Sequence, residues 1–488
     1  MPLASIGSPS PILKFAPKAG HKMIIRRHEN VSDKIWRNRG VLLVTSIPLL
    51  VIMAMIFFFF PASKPVRDLK AMTIGQLHHQ QQPAAAAGGG AYLYNIVLDA
   101  GSTGSRIHIF KFEQKGSSLN LISDGFHQLK PGLSAFPDEP QKAADSLKPL
   151  LEQAMKAVPA AQQASTGLSL KATAGLRLLP GSKADDILAA VRKFLATYPF
   201  KLKSDAVEIM DGAHEGAFAW LTLNYLLGRL GSGPTGTVAA IDLGGGSVQE
   251  AFALPSTEAT AAPAGYITQL KAGGVTYDVY VHSYLGYGLM AARAKVIEAG
   301  REDPSHPCFA KGSSLKYSYA GKEYSIGETI EAGDFKRCAA MALKALDHDK
   351  DCGQPKDACS FSGAWRGKPA SMARVYYVSS YFWDRASESG IIADKAAIEW
   401  KTSPGDFAKR AAAVCGKAVP ELTKSYSDLQ AANAPYFCLD LSFCHTVLTQ
   451  GFDLAETISV TLVKQVKYNG QTIEAAWPLG AAINDLSS

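Results

Sequence analysis

Two short turns of the same chemical kind, 143 residues apart, constrain the fold of this chain more than any other feature. An apolar segment ends in Asp99 and is followed by the Gly/Ser/Thr turn 101–105, after which residues 106–112 alternate between polar and apolar. A second apolar segment leads to Asp242 and the turn Gly244–Ser247, and another apolar run follows. Such segments are typical of strands, so each turn is expected to join two strands. The repetition predicts two related α/β domains that face each other.

The segments around these turns give a coarse secondary structure. Predicted strands cover Tyr92–Ala100, Arg106–Phe112, Thr237–Ile241 and Val248–Leu254. Predicted helices cover Asp145–Ala157, Lys183–Tyr198 and the strongly apolar Glu215–Leu230. The region 260–440 is less regular, and we expect loops near 303–325 and 351–370.

The chemistry of the paired turns indicates a phosphate site. A Gly-rich bend lets backbone N–H groups approach a phosphate closely, and serine hydroxyls add donors. A carboxylate just before each bend, Asp99 or Asp242, can hold the water shell of a hard cation. One such turn alone is typical of a hairpin, whereas two in equivalent positions predict a nucleotide or polyphosphate site. The chain has no P-loop, no G-x-S-x-G and no H-E-x-x-H, so these chemistries lose support.

An uncharged apolar stretch, Val41–Phe60, is long enough to cross a bilayer as a helix. A buried core helix is the alternative, and a cleaved signal peptide is disfavoured because the stretch is long and starts deep in the chain. Residues 1–40 hold eight basic and two acidic side chains, so the positive-inside rule places the N-terminus in the cytosol. The sequence thus predicts a type II signal anchor with the body outside the cytosol.

Charge and cysteine usage describe the rest of the chain. The formal net charge of +7 comes almost entirely from the N-terminal 70 residues, so the remaining body is near neutral and gives no sign of nucleic-acid binding. The seven cysteines lie between Cys308 and Cys444 without any Cys-x-x-Cys. A non-cytosolic body favours three disulfides and one spare thiol over seven unpaired thiols. Spacing alone does not select the pairing.

Three further segments complete an ordered set of five motifs: 172–177, 211–216 and 475–480. With the two turns, they make the chain resemble the apyrases (nucleoside triphosphate diphosphohydrolases), most closely the plant type II membrane-anchored members. The resemblance runs from about Tyr92 to the C-terminus. It implies an α/β fold of two RNase H-like lobes, as in actin, heat-shock ATPases and hexokinase, with a nucleotide cleft between them.

The resemblance and the composition together give domain boundaries. The predicted parts are a cytosolic basic tail 1–40, a transmembrane anchor 41–60, a flexible stem 61–91, a first lobe 92–211 completed by about 477–488, and a second lobe 212–476.

The resemblance also assigns roles to residues. Glu215 is implied as the general base, and Thr173, Ser247 and Gln249 as residues that position the phosphate or the attacking water. Nucleotide binding is implied for the first turn (Asp99, Ala100, Gly101, Ser102, Thr103, Gly104, Ser105, Arg106) and for the second (Asp242, Leu243, Gly244, Gly245, Gly246, Ser247, Val248, Gln249). Asp99 and Asp242 are expected to hold Ca²⁺ or Mg²⁺ through water. Arg177 and Trp477 are expected to be structural.

Some features depart from the family or stay open. Ala213 and His214 stand where the family usually has Thr-Gln, and we interpret His214 as a solvated loop residue. The aromatic run 381–383 is expected either to stack the nucleobase or to pack in the core. The resemblance suggests the pairs Cys308–Cys338, Cys352–Cys359 and Cys415–Cys438, with Cys444 free.

The predicted function is hydrolysis of the terminal phosphoanhydride bonds of nucleoside tri- and diphosphates, with water as acceptor. Glu215 starts an apolar helix, whose dipole is expected to favour the ionised carboxylate. A superfamily kinase and a nucleotide-gated scaffold are rival readings, but the motifs around Thr173 and Glu215 count against both. The expected location is the lumen of the Golgi or another endomembrane compartment, or else the plasma membrane with an extracellular body. The oligomeric state and the preferred nucleotide are left open.

Overall fold

The structure is a computed structural model that describes residues 91–487, apart from Ser117, Gly273, Pro304 and the segment 368–374. The predicted basic tail, the apolar stretch Val41–Phe60 and the stem up to residue 90 lie outside the described residues. Within the described part of the chain, no helix combines the length and the apolar character needed to span a membrane.

The strands form two large sheets and two separate hairpins. In chain order they are β1 Ala91–Ala100, β2 Ser105–Lys115, β3 Ser118–Leu129, β4 Gly167–Ala172, β5 Val207–Ile209, β6 Ala239–Leu243, β7 Ser247–Leu254, β8 Ile267–Ala272, β9 Val275–Leu285, β10 Leu315–Tyr319, β11 Lys322–Ile326, β12 Tyr376–Ser380, β13 Glu399–Thr402, β14 Val460–Val463, β15 Gln465–Tyr468 and β16 Gln471–Glu474.

The α-helices pack on the faces of these sheets or join their strands. They are α1 Pro140–Asp145, α2 Lys148–Ala157, α3 Ala160–Gln163, α4 Ala174–Arg177, α5 Lys183–Leu195, α6 Gly212–Leu226, α7 Ser256–Ala259, α8 Leu289–Ala299, α9 Phe335–Ala345, α10 Tyr381–Ser389, α11 Pro404–Val414, α12 Val419–Ser425, α13 Phe437–Thr446 and α14 Trp477–Ser487.

The two sheets repeat one topology. The first has the strand order β3-β2-β1-β4-β5, and the second contains β9-β7-β6-β12-β14 with β8 and β13 added at its edges. In both, two antiparallel pairings are followed by two parallel ones. The register sets Asp99 opposite Arg106 in the first sheet and Asp242 opposite Gln249 in the second. The predicted pair of related α/β lobes is therefore confirmed.

Two helices join the lobes at their interface. Helix α6 packs on the second sheet and α14 on the first, and one apolar cluster contains residues of both helices and both sheets. The backbone N–H of Gly480 donates to the Thr222 hydroxyl at 2.8 Å, and a Cβ on Gly480 would lie 2.4 Å from the carbonyl oxygen of Phe218. Glycine at position 480 therefore lets the helices approach closely. Trp477 is buried in this cluster.

The cysteine pairs lie in the second lobe. Disulfides join Cys308–Cys338, Cys352–Cys359 and Cys415–Cys438, and Cys444 is a buried free thiol. The pairing suggested by the family resemblance is therefore confirmed.

One local prediction was confirmed and another was wrong. The helix predicted over 145–157 is present as α2, which begins at Lys148 and has Pro149 in its first turn. The loop expected near 303–325 was wrong, because this region contains the hairpin β10–β11. Its two-residue turn, Ala320-Gly321, has positive φ at both positions, which is the geometry that matches the twist of paired strands.

Candidate functional site

The two turns that are predicted to bind phosphate, residues 101–105 and 244–247, meet between the lobes; they are called the phosphate turns below. Each turn is closed in the same way: the Gly101 N–H donates to the Gly104 carbonyl, and the Gly244 N–H donates to the Ser247 carbonyl, both at 3.0 Å. A Cβ on Gly245 would lie 2.1 Å from the Ser102 hydroxyl oxygen, so the two turns approach each other closely at this glycine. The tertiary structure thus brings the two predicted turns into direct contact.

Backbone groups of helix α8 support the second turn. The N–H groups of Met290 and Ala291 donate to the Gly245 carbonyl, and that of Leu289 donates to the Gly244 carbonyl, at 2.9–3.0 Å. Two carbonyls of the turn are therefore held by the N-terminus of the helix, which fixes the position of the turn. The side chains of Ala100, Leu243 and Val248, which were also predicted to bind nucleotide, are buried in the apolar cores of the lobes.

Asp99 is buried, and Asp242 is half-buried. Asp99 accepts from Arg106 Nη1 at 3.0 Å through Oδ2, while its Oδ1 has no hydrogen-bond partner among the described residues. Asp242 accepts from the Ser379 hydroxyl at 3.1 Å. Desolvation raises the pKa of Asp99 against the opposing charge of Arg106. Desolvation also raises the pKa of Asp242, and the negative charge of Asp99 adds to the shift.

This arrangement fits a divalent cation. Two carboxylates whose pKa values are raised by desolvation, one of them with a buried oxygen that no described residue satisfies, would be stabilised by a positive charge. Among residues 91–487 as described, no group of three or more His, Cys, Asp or Glu side chains is arranged to hold a metal directly. Carboxylate oxygens are the ligands that Ca²⁺ and Mg²⁺ prefer, and Mg²⁺ keeps several of its waters.

Glu215 lies in the first turn of α6, whose N-terminus is capped by the Asp211 side chain accepting from the Ala213 N–H at 3.1 Å. Its carboxylate is buried and paired with the Arg177 guanidinium. Burial raises the pKa of Glu215 to about 7, which Arg177 opposes and the charges of Asp242 and Asp99 reinforce. Desolvation is thus the largest influence on this carboxylate and favours its protonated form, whereas the helix dipole is expected to favour the ionised form.

Gln249 connects Glu215 to the second turn. Its amide Nε2, which carries two hydrogens, lies 2.7 Å from Ser247 Oγ, 2.9 Å from Ser283 Oγ and 3.2 Å from Glu215 Oε2. Its Oε1 is buried and meets no donor within the described chain. Glu215 and Gln249 therefore present acceptor oxygens side by side next to the phosphate turns.

Thr173 and the first turn come from the same lobe. Thr173 is buried directly before α4, and its N–H donates to the Ala100 carbonyl at 3.2 Å. A Cβ on Gly175 would lie 2.6 Å from Ser102 Cα, so the second motif packs tightly on the first turn. The Thr103 hydroxyl lies 3.5 Å from that of Tyr381, and the Ser105 hydroxyl is buried.

The structure corrects or refines the sequence interpretation of Arg177, the aromatic run 381–383 and His214. Arg177, expected to be structural, pairs directly with the carboxylate of Glu215. Of the aromatic run, Phe382 and Trp383 are buried in the second lobe, whereas Tyr381 reaches the first turn. The interpretation of His214 as a solvated loop residue was wrong, because His214 lies half-buried in the first turn of α6, where its ring stacks on Phe218 at a centroid distance of 5.8 Å.

Sequence reasoning missed Ser379 and Ser380, which bind Asp242 from the end of β12. The signal was available in principle, because carboxyl ends of neighbouring parallel strands meet at one edge of a sheet. Ser380 has φ 59° and ψ −121°, a strained conformation for a residue with a side chain. Strain of this kind is concentrated at functional sites.

Comparison with known proteins agrees with this geometry. The model of the GDA1/CD39 (nucleoside phosphatase) family matches residues 91–488. The chain belongs to this family. It is 38% identical to probable apyrase 1 of Oryza sativa subsp. japonica, over 97% of this chain and 99% of that protein. It is 37% identical to apyrase 1 of Arabidopsis thaliana, over 96% and 99% of the two chains. A nucleoside-triphosphatase of Pisum sativum is 38% identical over 81% of this chain and 88% of its own.

Family membership confirms the predicted resemblance to apyrases and the predicted enzyme class, hydrolysis of nucleoside tri- and diphosphates. Among solved structures, nucleoside triphosphate hydrolases from Neospora caninum are similar with a TM-score of 0.55 at 15% identity, covering 81% of this chain and 93% of that one. At this identity the likeness concerns the fold, which agrees with the two-lobed topology.

Proposed function

We propose that this member of the nucleoside phosphatase family hydrolyses the terminal phosphoanhydride bonds of nucleoside tri- and diphosphates by direct attack of water, with Glu215 as the general base. One observation carries this proposal. The buried carboxylate of Glu215 is linked to the second turn through Gln249, whose Nε2 lies 3.2 Å from Glu215 Oε2 and 2.7 Å from Ser247 Oγ. Burial also raises the pKa of Glu215 to about 7. A base that is half protonated near neutral pH combines availability with driving force for proton transfer.

The turns supply the phosphate site. In phosphoryl transfer the enzyme mainly positions the groups and neutralises charge. The N–H groups of the two turns, with the Ser102 and Thr103 hydroxyls, are donors suited to the oxygens of the terminal phosphate. Because the turns belong to different lobes, a phosphate between them would be held from two sides.

Gln249 and Ser247 are proposed to orient the attacking water. The Gln249 amide is held by Ser247, Ser283 and Glu215, which leaves Oε1 as a fixed acceptor among the described residues. One water O–H can donate to Gln249 Oε1 and the other to Glu215. Thr173, next to the first turn, is proposed to support the phosphate. Arg177 holds the Glu215 carboxylate in place.

We further propose that Asp99 and Asp242 hold Ca²⁺ or Mg²⁺, through water, at the phosphates. Bound there, the cation supplies positive charge that offsets the phosphate charge. The support is the pair of desolvated carboxylates described above, together with the Oδ1 of Asp99, for which no described residue is a hydrogen-bond partner.

The cellular setting is also a proposal. The uncharged stretch Val41–Phe60 with its basic flank is typical of a single-pass type II anchor. The three disulfides support a body in an oxidising compartment, either the lumen of the Golgi or another endomembrane compartment, or the cell exterior.

The decisive experiment measures phosphate release from a panel of nucleoside mono-, di- and triphosphates, with Ca²⁺, with Mg²⁺ and with a chelator. We expect release from tri- and diphosphates, none from monophosphates, and dependence on the cation. Release without any acceptor other than water separates hydrolysis from a kinase. Nucleotide binding without turnover would contradict the proposal and favour a scaffold.

A further inference from the structure

The hairpin β10–β11 brings a tyrosine to the second phosphate turn. Tyr319 ends β10, and its hydroxyl oxygen lies 3.0 Å from the position that a Cβ on Gly246 would take. The methyl group of Ala174, from the first lobe, borders the same position at 2.7 Å. The Tyr319 hydroxyl therefore lies where the second turn meets the first lobe.

This hydroxyl is buried and has no hydrogen-bond partner in the described part of the chain. Buried hydroxyls normally find a partner, because leaving one unsatisfied costs free energy. The neighbouring tyrosine of the same strand follows the rule: the Tyr317 hydroxyl donates to the Met290 carbonyl at 2.8 Å. Tyr319 therefore has an unused hydrogen-bond donor, its hydroxyl, beside the second turn, which is proposed to bind the anionic phosphate of the substrate.

The hairpin presents Tyr319 in a defined orientation. The rings of Tyr317 and Tyr319 are stacked at 6.4 Å with an interplanar angle of 6°. Tyr317 in turn packs edge-on against Tyr436. The Cys308–Cys338 disulfide closes the segment that contains the hairpin. Since burial raises the pKa of Tyr319, the phenol stays protonated and remains a donor across the working pH range.

We propose that Tyr319 donates a hydrogen bond to an oxygen of the phosphate that the second turn binds, which makes it a substrate-binding residue outside the five motifs. This inference rests on the proposed function, because it takes the ligand of the turn to be a nucleoside phosphate. The contact forms with the ground-state substrate, so its loss should weaken binding more than it slows the chemical step.

The test is Tyr319→Phe, which keeps the ring and its stacking. We expect KM for a nucleoside diphosphate to rise about tenfold, the usual worth of a hydrogen bond to a charged group at its lower end, while kcat stays within about threefold. Thermal unfolding of the ligand-free protein should be unchanged or shifted upward, because the variant removes an unsatisfied buried hydroxyl.

Tyr317→Phe is the matched control from the same strand. It should lower the unfolding temperature, because it removes the hydrogen bond from the Tyr317 hydroxyl to the Met290 carbonyl, and it should leave KM within about twofold. The affinity for a non-hydrolysable nucleoside diphosphate analogue, titrated with Ca²⁺ into each protein, measures the contact without turnover. In Tyr319→Phe this affinity should fall by the same factor as KM rises.

Unchanged KM and analogue affinity in Tyr319→Phe would overturn the inference, as would a fall in kcat alone. These failures leave the proposed hydrolysis intact, because the wild-type protein would still release phosphate. If the wild-type protein releases none, the proposed function fails instead, and a Tyr319-dependent affinity for the analogue would still support the contact.

Discussion

Replacement of Glu215 by glutamine tests the centre of the proposed mechanism. The substitution keeps the size of the side chain and its oxygen acceptor for the Gln249 amide, but the new side chain cannot take a proton from water. We expect turnover to fall by about 10²–10⁴, the usual contribution of a positioned acid–base group. Nucleotide affinity should change little, because in the proposed mechanism Glu215 contacts the attacking water rather than the phosphates.

The raised pKa of Glu215 also predicts how the free energy of unfolding changes with pH, and this quantity can be measured without turnover. Burial raises the pKa of Glu215 from 4.5 to about 7, so the folded protein holds this proton more tightly than the unfolded chain. The stability contributed by this proton is present at low pH and is lost as pH rises between about 4.5 and 7. The shift corresponds to about 3 kcal/mol in total, of which roughly 2–3 kcal/mol falls between pH 5 and pH 8.

The assay is denaturant unfolding of the metal-free protein at several pH values, alongside phosphate release at saturating nucleotide and Ca²⁺. The stability of the wild-type protein relative to Glu215→Gln should fall by about 2–3 kcal/mol from pH 5 to pH 8. In Glu215→Gln, Arg177 loses its charged partner, so the two proteins can differ in absolute free energy of unfolding. The informative quantity is therefore the slope of the free energy of unfolding against pH. The exposed Glu298→Gln serves as control and should change neither quantity.

Two results would refute this reasoning. A Glu215→Gln variant that retains more than about a tenth of wild-type turnover excludes Glu215 as the base, and neighbouring His214 would then be tested first. Parallel pH dependence of stability in the two proteins would show that the Glu215 carboxylate does not have a raised pKa in the folded state.

Further predictions concern the cation, the anchor and the disulfides. Asp99→Ala and Asp242→Ala should each weaken Ca²⁺ binding, so added Ca²⁺ should restore part of their phosphate release. Added Ca²⁺ should not restore the phosphate release that Glu215→Gln loses, and an equal response of all three variants would contradict the metal assignment. The only N-glycosylation sequon starts at Asn30, on the predicted cytosolic side, so endoglycosidase treatment should not change mobility; a shift abolished by Asn30→Gln would reverse the orientation. Protein lacking residues 1–70, made in an oxidising compartment, should be soluble and active by phosphate release, and an insoluble product would argue for a core role of the apolar stretch. Reduction should lower its free energy of unfolding by about 2–5 kcal/mol per disulfide, measured in denaturant, and an unchanged midpoint would mean that the bridges are not structural.

Much of the site could be predicted because its chemistry is local in sequence. Each turn has its carboxylate, glycines and hydroxyls within about eight consecutive positions, so Asp99 and Asp242 could be assigned from the residues that follow them. Glu215 could be assigned because its motif is also contiguous. The disulfide pairs were obtained from the family resemblance, since spacing alone did not select among the alternatives.

The remaining contacts join distant segments. Ser379 reaches Asp242 because β12 lies parallel to β6, a neighbour relation that no short window of sequence contains. Arg177 reaches Glu215 across two segments of the chain that meet at the site. Tyr319 lies in a region read as a loop, although its alternating residues and two-residue turn are typical of a hairpin.

The sequence by itself therefore determined the two-lobed α/β plan, the phosphate turns and the enzyme class, because repeated local motifs carry that information. Only the tertiary structure decided the ionisation of the site. The sequence predicts that a helix dipole favours ionised Glu215, yet burial among the two aspartates raises its pKa to about 7. Desolvation depends on which segments close around a carboxylate, and that is a property of the assembled fold rather than of any motif.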